Sequence, residues 1–140
     1  MSIAETKKTK NLTQPIPLHR LLREILRHYT EYRSRVEKPE LGDEMSHGVI
    51  EYGYWIYNED GTHKKKIDIS MSFWDLHRGI KELAPRKREA LFYNVILDEK
   101  QKDVAKRMGI TTVSVGQYVE AATLQLVTHA FTAEEIENNV

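Results

Sequence analysis

Residues 101–126 constrain the fold of this chain more than any other segment. They read QKDVAKRMGITTVSVGQYVEAATLQL, with a short amphipathic stretch on either side of Gly109. Glycine admits a positive φ without steric cost, so it suits a tight turn between two helices. Apolar residues recur at helical spacing along one side of both stretches: Val104, Met108, Ile110, Val115 and Tyr118. The segment therefore predicts two short helices that cross steeply, with Ala105 as the small residue at the crossing.

Two helices with this spacing are typical of a helix-turn-helix, whose second helix enters the major groove of DNA. Thr111 and Thr112 follow the turn, where a hydroxyl accepts a bond from a free backbone N–H and starts the second helix. An ordinary pair of core helices with a glycine turn is the alternative that this window leaves open. Polar side chains fall on the outer faces of the two predicted helices: Lys102, Lys106, Arg107, Thr112, Ser114 and Gln117.

A wider window, Ser72 to Leu126, resembles region 4 of the sigma-70 family of RNA polymerase factors. Residues 80–91, IKELAPRKREAL, are similar to the family's L-x-P-R-x-R-E-x-L helix, which precedes its helix-turn-helix. Val104-Ala105, Gly109-Ile110-Thr111 and the run VGQYVEAA at 115–122 are similar to the motif itself. The combined pattern is far more specific than the turn alone.

The resemblance implies a module that binds double-stranded DNA and contacts RNA polymerase, with the flap of the β subunit as the expected surface. It also implies that Thr112, Val113, Gly116 and Gln117 face base edges, and that Arg86 and Arg88 meet phosphates. The candidate DNA-binding residues are therefore Arg86, Arg88, Lys102, Lys106, Arg107, Thr111, Thr112, Val113, Ser114, Gly116 and Gln117.

The predicted recognition helix departs from the family, which usually carries several Arg or Lys at the base-facing positions. Here only Gln117 is able to make a two-point hydrogen bond with a base, and adenine suits it. Gly116 weakens the helix by about 1 kcal/mol relative to alanine. Low intrinsic affinity for DNA is one reading of this departure, and a helix turned to protein contact is the other.

The composition is compatible with a single domain of 140 residues in which 21 basic and 21 acidic residues balance. Residues 81–117 are locally positive, whereas the last residues, 118–140, hold acids and no Lys or Arg. This distribution gives a modest attraction to phosphate. The chain has no cysteine, which fits a cytoplasmic protein, and no apolar run that would suit a signal peptide or a membrane span.

The rest of the chain predicts a mainly α fold with a small β-hairpin. The expected organisation is a disordered tail at 1–14, an N-terminal helix plus hairpin at 15–71, the sigma region 4-like helix-turn-helix domain of three to four helices at 72–128, and an acidic tail at 129–140. The hairpin pairs Val49–Tyr57 with Lys66–Met71 around an Asp60-Gly61 turn. Pro39 to Ser46 is expected as a linker.

A single amphipathic helix is predicted from Pro15 to about Lys38, with an apolar stripe from Leu18 to Val36. The stripe packs either on the chain's own core or against a second copy in a homodimer. The core is the favoured partner, since fewer than three heptads make a weak coiled coil.

No pattern of catalytic chemistry stands out in the sequence. The six histidines fall in no metal-ligand motif, and there is no phosphate-binding glycine loop and no nucleophile elbow. We therefore expect a protein that is not an enzyme and that uses no metal and no cofactor.

The leading hypothesis is a transcription regulator that acts with RNA polymerase as an accessory factor, with an origin in a bacteriophage suggested by its layout. An adaptor that binds polymerase or a sigma factor without reading DNA sequence is the first alternative. A small terminase-like component of phage DNA packaging, assembled into a ring through the N-terminal stripe, is the second.

Overall fold

The computed structural model describes residues 12–38, 47–132 and 136. In chain order the elements are α1 (Leu18–Leu26), α2 (Tyr29–Glu37), β1 (Val49–Tyr57), β2 (His63–Ser72), α3 (Phe73–Glu82), α4 (Pro85–Leu91), a π-helical turn (Phe92–Ile96), α5 (Gln101–Met108) and α6 (Thr112–Ala130). The prediction of a mainly α fold with a small hairpin is confirmed.

The helix expected over residues 15–38 was wrong in one respect, because the chain forms two helices there. The break falls at Arg27 and His28, and His28 has a φ of −105° and a ψ of 14°, outside the helical region. Tyr29 opens the second helix and stacks on Phe73 of α3, with ring centroids 5.2 Å apart. The contact between Tyr29 and Phe73 thus links α2 to α3.

The apolar stripe of α1 packs on the protein's own core. Leu21, Leu22, Ile25 and Leu26 are fully buried, and the helix lies against α6. This burial agrees with the favoured alternative, in which the stripe packs on the chain's own core, and a homodimer along Leu18–Val36 stays a prediction. The ring assembly required by the packaging alternative depended on the same stripe.

Both ends of the described chain are more ordered than the sequence suggested. The backbone N–H of Tyr57 donates to the carbonyl of Leu12 over 2.7 Å, so residues 12–14 of the expected tail follow the hairpin. At the other end α6 runs to Ala130 and Phe131 is buried, so the segment expected as an acidic tail begins inside the fold. Residues 1–11, 133–135 and 137–140 of the two expected tails, and the expected linker at 39–46, lie outside the described residues.

The hairpin is antiparallel, with Tyr52 opposite Ile69. Gly61 adopts a φ of 86° at the tip, as the Asp60-Gly61 signal predicted. The second strand begins at His63, three residues before the predicted start. Alternate residues of the two strands face the core: Ile50, Tyr52, Tyr54, Ile56, Ile69 and Met71.

Local backbone chemistry explains where α3 and α4 begin. Ser72 caps α3, because its Oγ accepts a hydrogen bond from the backbone N–H of Asp75 over 3.3 Å. Pro85 occupies the first turn of α4, where its missing N–H costs nothing. Both helices pack against α6, which also contacts α1 and α5. One long helix therefore forms the centre of the core.

Candidate nucleic-acid interface

The turn between α5 and α6 has the geometry that the sequence predicted. Gly109 ends α5 in the left-handed region, with a φ of 68° and a ψ of 35°. The N–H of Ile110 donates to the carbonyl of Ala105 over 3.0 Å and closes the last turn of α5. A Cβ at position 109 would meet no atom within 4 Å. The backbone conformation, and not crowding, is therefore what favours glycine here.

Hydroxyl groups fix the start of α6. The Oγ1 of Thr111 accepts a hydrogen bond from the backbone N–H of Ser114 over 3.1 Å. The same hydroxyl donates to the Oγ of Ser114 over 2.9 Å. These two candidate DNA-binding residues are therefore engaged with each other, and their first role is to hold the N-terminus of α6 in place.

The N-terminal two turns of α6 present one face to solvent. Thr112 and Gln117 are exposed, and Val113 is 69% exposed, the highest value among the exposed large apolar side chains of the described residues. Val115 and Val119 point the opposite way and are fully buried. The helix-turn-helix thus leaves free the face that the sequence predicted to be free.

The first residue of α5 covers part of this face. A Cβ built on Gly116 would lie 3.6 Å from Oε1 and 3.7 Å from Nε2 of Gln101. The amide of Gln101 therefore stands beside the position where α6 carries no side chain. The sequence did not indicate Gln101, because only the crossing of α5 and α6 brings it next to the exposed face at the start of α6.

The two arginines of α4 are tied to the ends of neighbouring helices. Arg86 donates from Nη2 to the carbonyl of Met108, at the end of α5, over 3.3 Å. Arg88 donates from Nη1 to the carbonyl of Lys81, near the end of α3, over 3.0 Å. Each guanidinium carries five N–H groups, so these bonds leave other donors for a phosphate.

The basic residues of α5 differ in their surroundings. Lys102 and Lys106 are exposed. Arg107 is exposed too, but its Nη2 lies 2.9 Å from Oε1 of Glu99 and its guanidinium lies 4.2 Å from the centre of the Tyr93 ring. The hydrogen bond to Glu99 raises the pKa of Arg107. Arg107 therefore braces the segment before α5, and the two lysines are the stronger candidates for phosphate contact.

The charge of this region lies beside α6 and not on it. Between Thr112 and Leu126, α6 contributes one charged side chain, Glu120, which is exposed. The positive charges come from α4, α5 and the residue before α5. Electrostatic attraction to a DNA duplex would thus act on α4 and α5, beside α6, and not on α6 itself.

No metal centre is found in the described ranges 12–38, 47–132 and 136, where no group of three His, Cys, Asp or Glu side chains comes together. The same residues contain no helix that is long and apolar enough to cross a membrane. An open groove of about 330 Å³ lies on the hairpin, between Glu51, Lys66 and Asp68. It is lined by hairpin residues only and does not reach the α6 face.

Residues 73–126 match the family model described as Sigma-70, region 4. No curated protein and no solved structure matches the chain. The matched range begins at the first residue of α3 and ends inside α6, so it contains α3, α4, α5 and α6 as far as Leu126.

Proposed function

Because residues 73–126 form a sigma-70 region 4-like helix-turn-helix domain, we propose that this chain is a transcription regulator that binds double-stranded DNA and acts with RNA polymerase. The domain type supports a DNA-binding, non-catalytic role in transcription. In this proposal the chain acts as an accessory factor in the cytoplasm.

The observation that carries this proposal is the free outer face at the start of α6. Thr112, Val113 and Gln117 project from the two helical turns that follow the Gly109 corner. In helix-turn-helix proteins the N-terminal residues of the second helix contact base edges in the major groove. No element of the described structure lies over these three side chains, which are all exposed.

Phosphate contacts would come from the flanking helices. Lys102 and Lys106 on α5 and Arg86 and Arg88 on α4 are exposed cations within the same domain. Four such contacts lower the observed affinity by about 100-fold when salt rises from about 50 to 200 mM. The chain therefore binds DNA with an affinity that depends strongly on salt and is modest at physiological ionic strength.

RNA polymerase supplies the rest of the affinity in this proposal. The base-facing positions lack the Arg and Lys that would hold a duplex unaided. A second contact, to the β flap of polymerase, converts DNA binding into an intramolecular event with a high effective concentration. The two weak contacts together place the regulator on its promoter.

A salt series with a fluorescent duplex of promoter length tests the proposal, with and without RNA polymerase. We expect binding that weakens linearly in a plot of log K against log salt. The double variant Lys102→Gln, Lys106→Gln reduces the slope by about 1.8. The matched control, Lys64→Gln, Lys65→Gln, removes the same charge from the exposed hairpin and leaves the slope unchanged. Absence of duplex binding at low salt, both with and without polymerase, would refute the proposal.

A polymerase- or sigma-binding adaptor is the second candidate function. One observation favours it: the outer face of α6 carries the exposed apolar side chains Val113 and Leu124 and the acid Glu120, and no cation. An adaptor binds polymerase with the same affinity whether or not DNA is present. The regulator binds polymerase more tightly when its duplex is added, so the same titration distinguishes the two.

A further inference from the structure

We propose that Val113 and Gln117 form a reading pair for neighbouring A·T base pairs, with Val113 packed on the C5-methyl group of a thymine and Gln117 bonded to an adenine. The inference rests on the proposed DNA binding and adds the chemical class of the target. It depends on the exposure, spacing and stiffness of these two side chains.

The exposure of Val113 is the first observation. Val113 is 69% exposed, more than any other exposed large apolar side chain of the described residues. Its two neighbours on the face, Thr112 and Gln117, are polar and exposed. At the N-terminal end of α6, Val113 is an apolar side chain between polar ones. It is therefore complementary to a base edge that carries one apolar group. In the major groove that group is the thymine methyl, which only the T of an A·T pair presents.

The position of Val113 in the helix is the second observation. It is the second residue of α6, which begins at Thr112 after the Thr111 cap. Residues at this end of a recognition helix reach deepest toward the bases. β-Branching restricts the χ1 angle of valine, so its methyl groups are already held in place before DNA arrives. Contact with a thymine methyl therefore costs little side-chain entropy.

The spacing between Val113 and Gln117 is the third observation. Side chains four residues apart on a helix lie about 5–6 Å from each other. Base pairs are about 3.4 Å apart along the duplex. The two side chains therefore reach base pairs that are adjacent or one step removed. The amide of Gln117 matches N6 and N7 of adenine, which is the other half of an A·T pair.

Because Gly116 has no side chain, the space between Val113 and Gln117 stays open. A side chain at 116 would stand beside both of them, whereas the position is empty apart from the amide of Gln101 at its edge. The reading surface is thus small and flat, with a methyl-bearing end and an amide end. It has no cation that would favour the O6 and N7 acceptors of guanine.

Selection from a random duplex library with the full chain, followed by base substitution, tests the inference. We expect the selected sites to contain T and A at adjacent or next-adjacent positions. Deoxyuridine in place of that thymidine removes only the C5-methyl and weakens binding about fourfold, the factor given by about 0.8 kcal/mol per apolar carbon. Val113→Ala reduces this response to uracil. Gln117→Ala keeps it and loses the preference for adenine.

A matched control uses Leu124, another exposed apolar side chain of α6, about three turns further along the helix. Leu124→Ala should leave the uracil response at its wild-type value. Circular dichroism of each variant checks that α6 is still helical. Selected sites without T and A, or an equal uracil response in Val113→Ala and wild type, would overturn the inference while DNA binding stands. Recovery of no site at all, with RNA polymerase present as well as absent, would refute the proposed function instead.

Discussion

Gly79 of α3 sits directly against Leu126 of α6: a Cβ at position 79 would lie 2.9 Å from Cδ2 of Leu126. Leu126 is fully buried in the core. The same Cβ would stand 3.1 Å from Cβ of His129. The absence of a side chain at 79 is therefore what allows α3 and α6 to pack so closely.

Two glycine-to-alanine variants should change stability in opposite directions. Gly79→Ala overpacks the α3–α6 contact at a cost of about 1–3 kcal/mol, which exceeds the helix propensity gained by alanine. Gly116→Ala meets only ordinary contacts with Gln101 and gains up to about 1 kcal/mol. Urea unfolding of both variants beside the wild type measures the free energies. A stabilising Gly79→Ala would show that the two helices separate easily.

Arg86→Gln should destabilise the fold in the absence of DNA. The variant removes the charged donor to the carbonyl of Met108, and the expected loss is about 1 kcal/mol. Lys102→Gln is the matched control, since Lys102 is exposed and should change stability by no more than about 0.5 kcal/mol. Equal stabilities of the two variants would mean that Arg86 does not support the turn, and that any effect of Arg86 on DNA binding is direct.

Thr111→Ala should cost about 1 kcal/mol by removing the cap of α6. Thr111→Ser keeps the hydroxyl and should retain most of the stability. Thr112→Ala, one residue further, removes an exposed hydroxyl that is not the cap and should leave stability near wild type. The comparison is made by thermal unfolding. If Thr112→Ala were as unstable as Thr111→Ala, the assignment of Thr111 as the cap of α6 would be wrong.

The stability of the fold should fall in mild acid because of His77. This ring is hydrogen-bonded through Nδ1 to the hydroxyl of Tyr29 and stacks on Phe73. Burial lowers the pKa of His77, and the charges of Lys81 and Arg33 lower it further, against a smaller opposing effect of Glu37.

The sign of the pH effect follows from that direction. The folded protein binds the His77 proton less readily than the unfolded chain, so the contribution to stability is present above the ordinary histidine pKa of about 6.5. It is lost as the pH falls through the lower, folded value. Unfolding midpoints measured from about pH 8 to 5 should therefore decline more in the wild type than in His77→Phe, which keeps the stacking and cannot titrate. Parallel declines would contradict this assignment.

The sequence was sufficient to predict the parts of the fold that depend on local chemistry. Gly109 and Thr111 act at the turn and the cap where they were expected, because both roles involve only nearby backbone. The alternation of buried and exposed residues along the hairpin strands was predictable for the same reason. The break between α1 and α2 was not, since it depends on the packing of Tyr29 against α3, far away in the chain.

The candidate site was predictable in outline and not in detail. Periodicity was enough to assign Thr112 and Gln117 to the free face of α6, and the resemblance to region 4 added Val113. The engagement of Arg86, Arg88 and Arg107 by carbonyls, a carboxylate and an aromatic ring was not visible, because their partners lie on other elements. Gln101 was missed for a related reason, since its place beside Gly116 arises from the angle between two helices.

The double use of α6 limits how this domain can be divided. The same helix that presents Val113 and Gln117 at one end buries Val119, Ala122 and Leu126 at the other, under α1, α3 and α4. A fragment reduced to α5 and α6 would expose that apolar surface to water and aggregate. The end of α6 that carries Val113 and Gln117 therefore cannot be transferred to another protein as a short peptide. A chimera that contains it must also include the N-terminal helices.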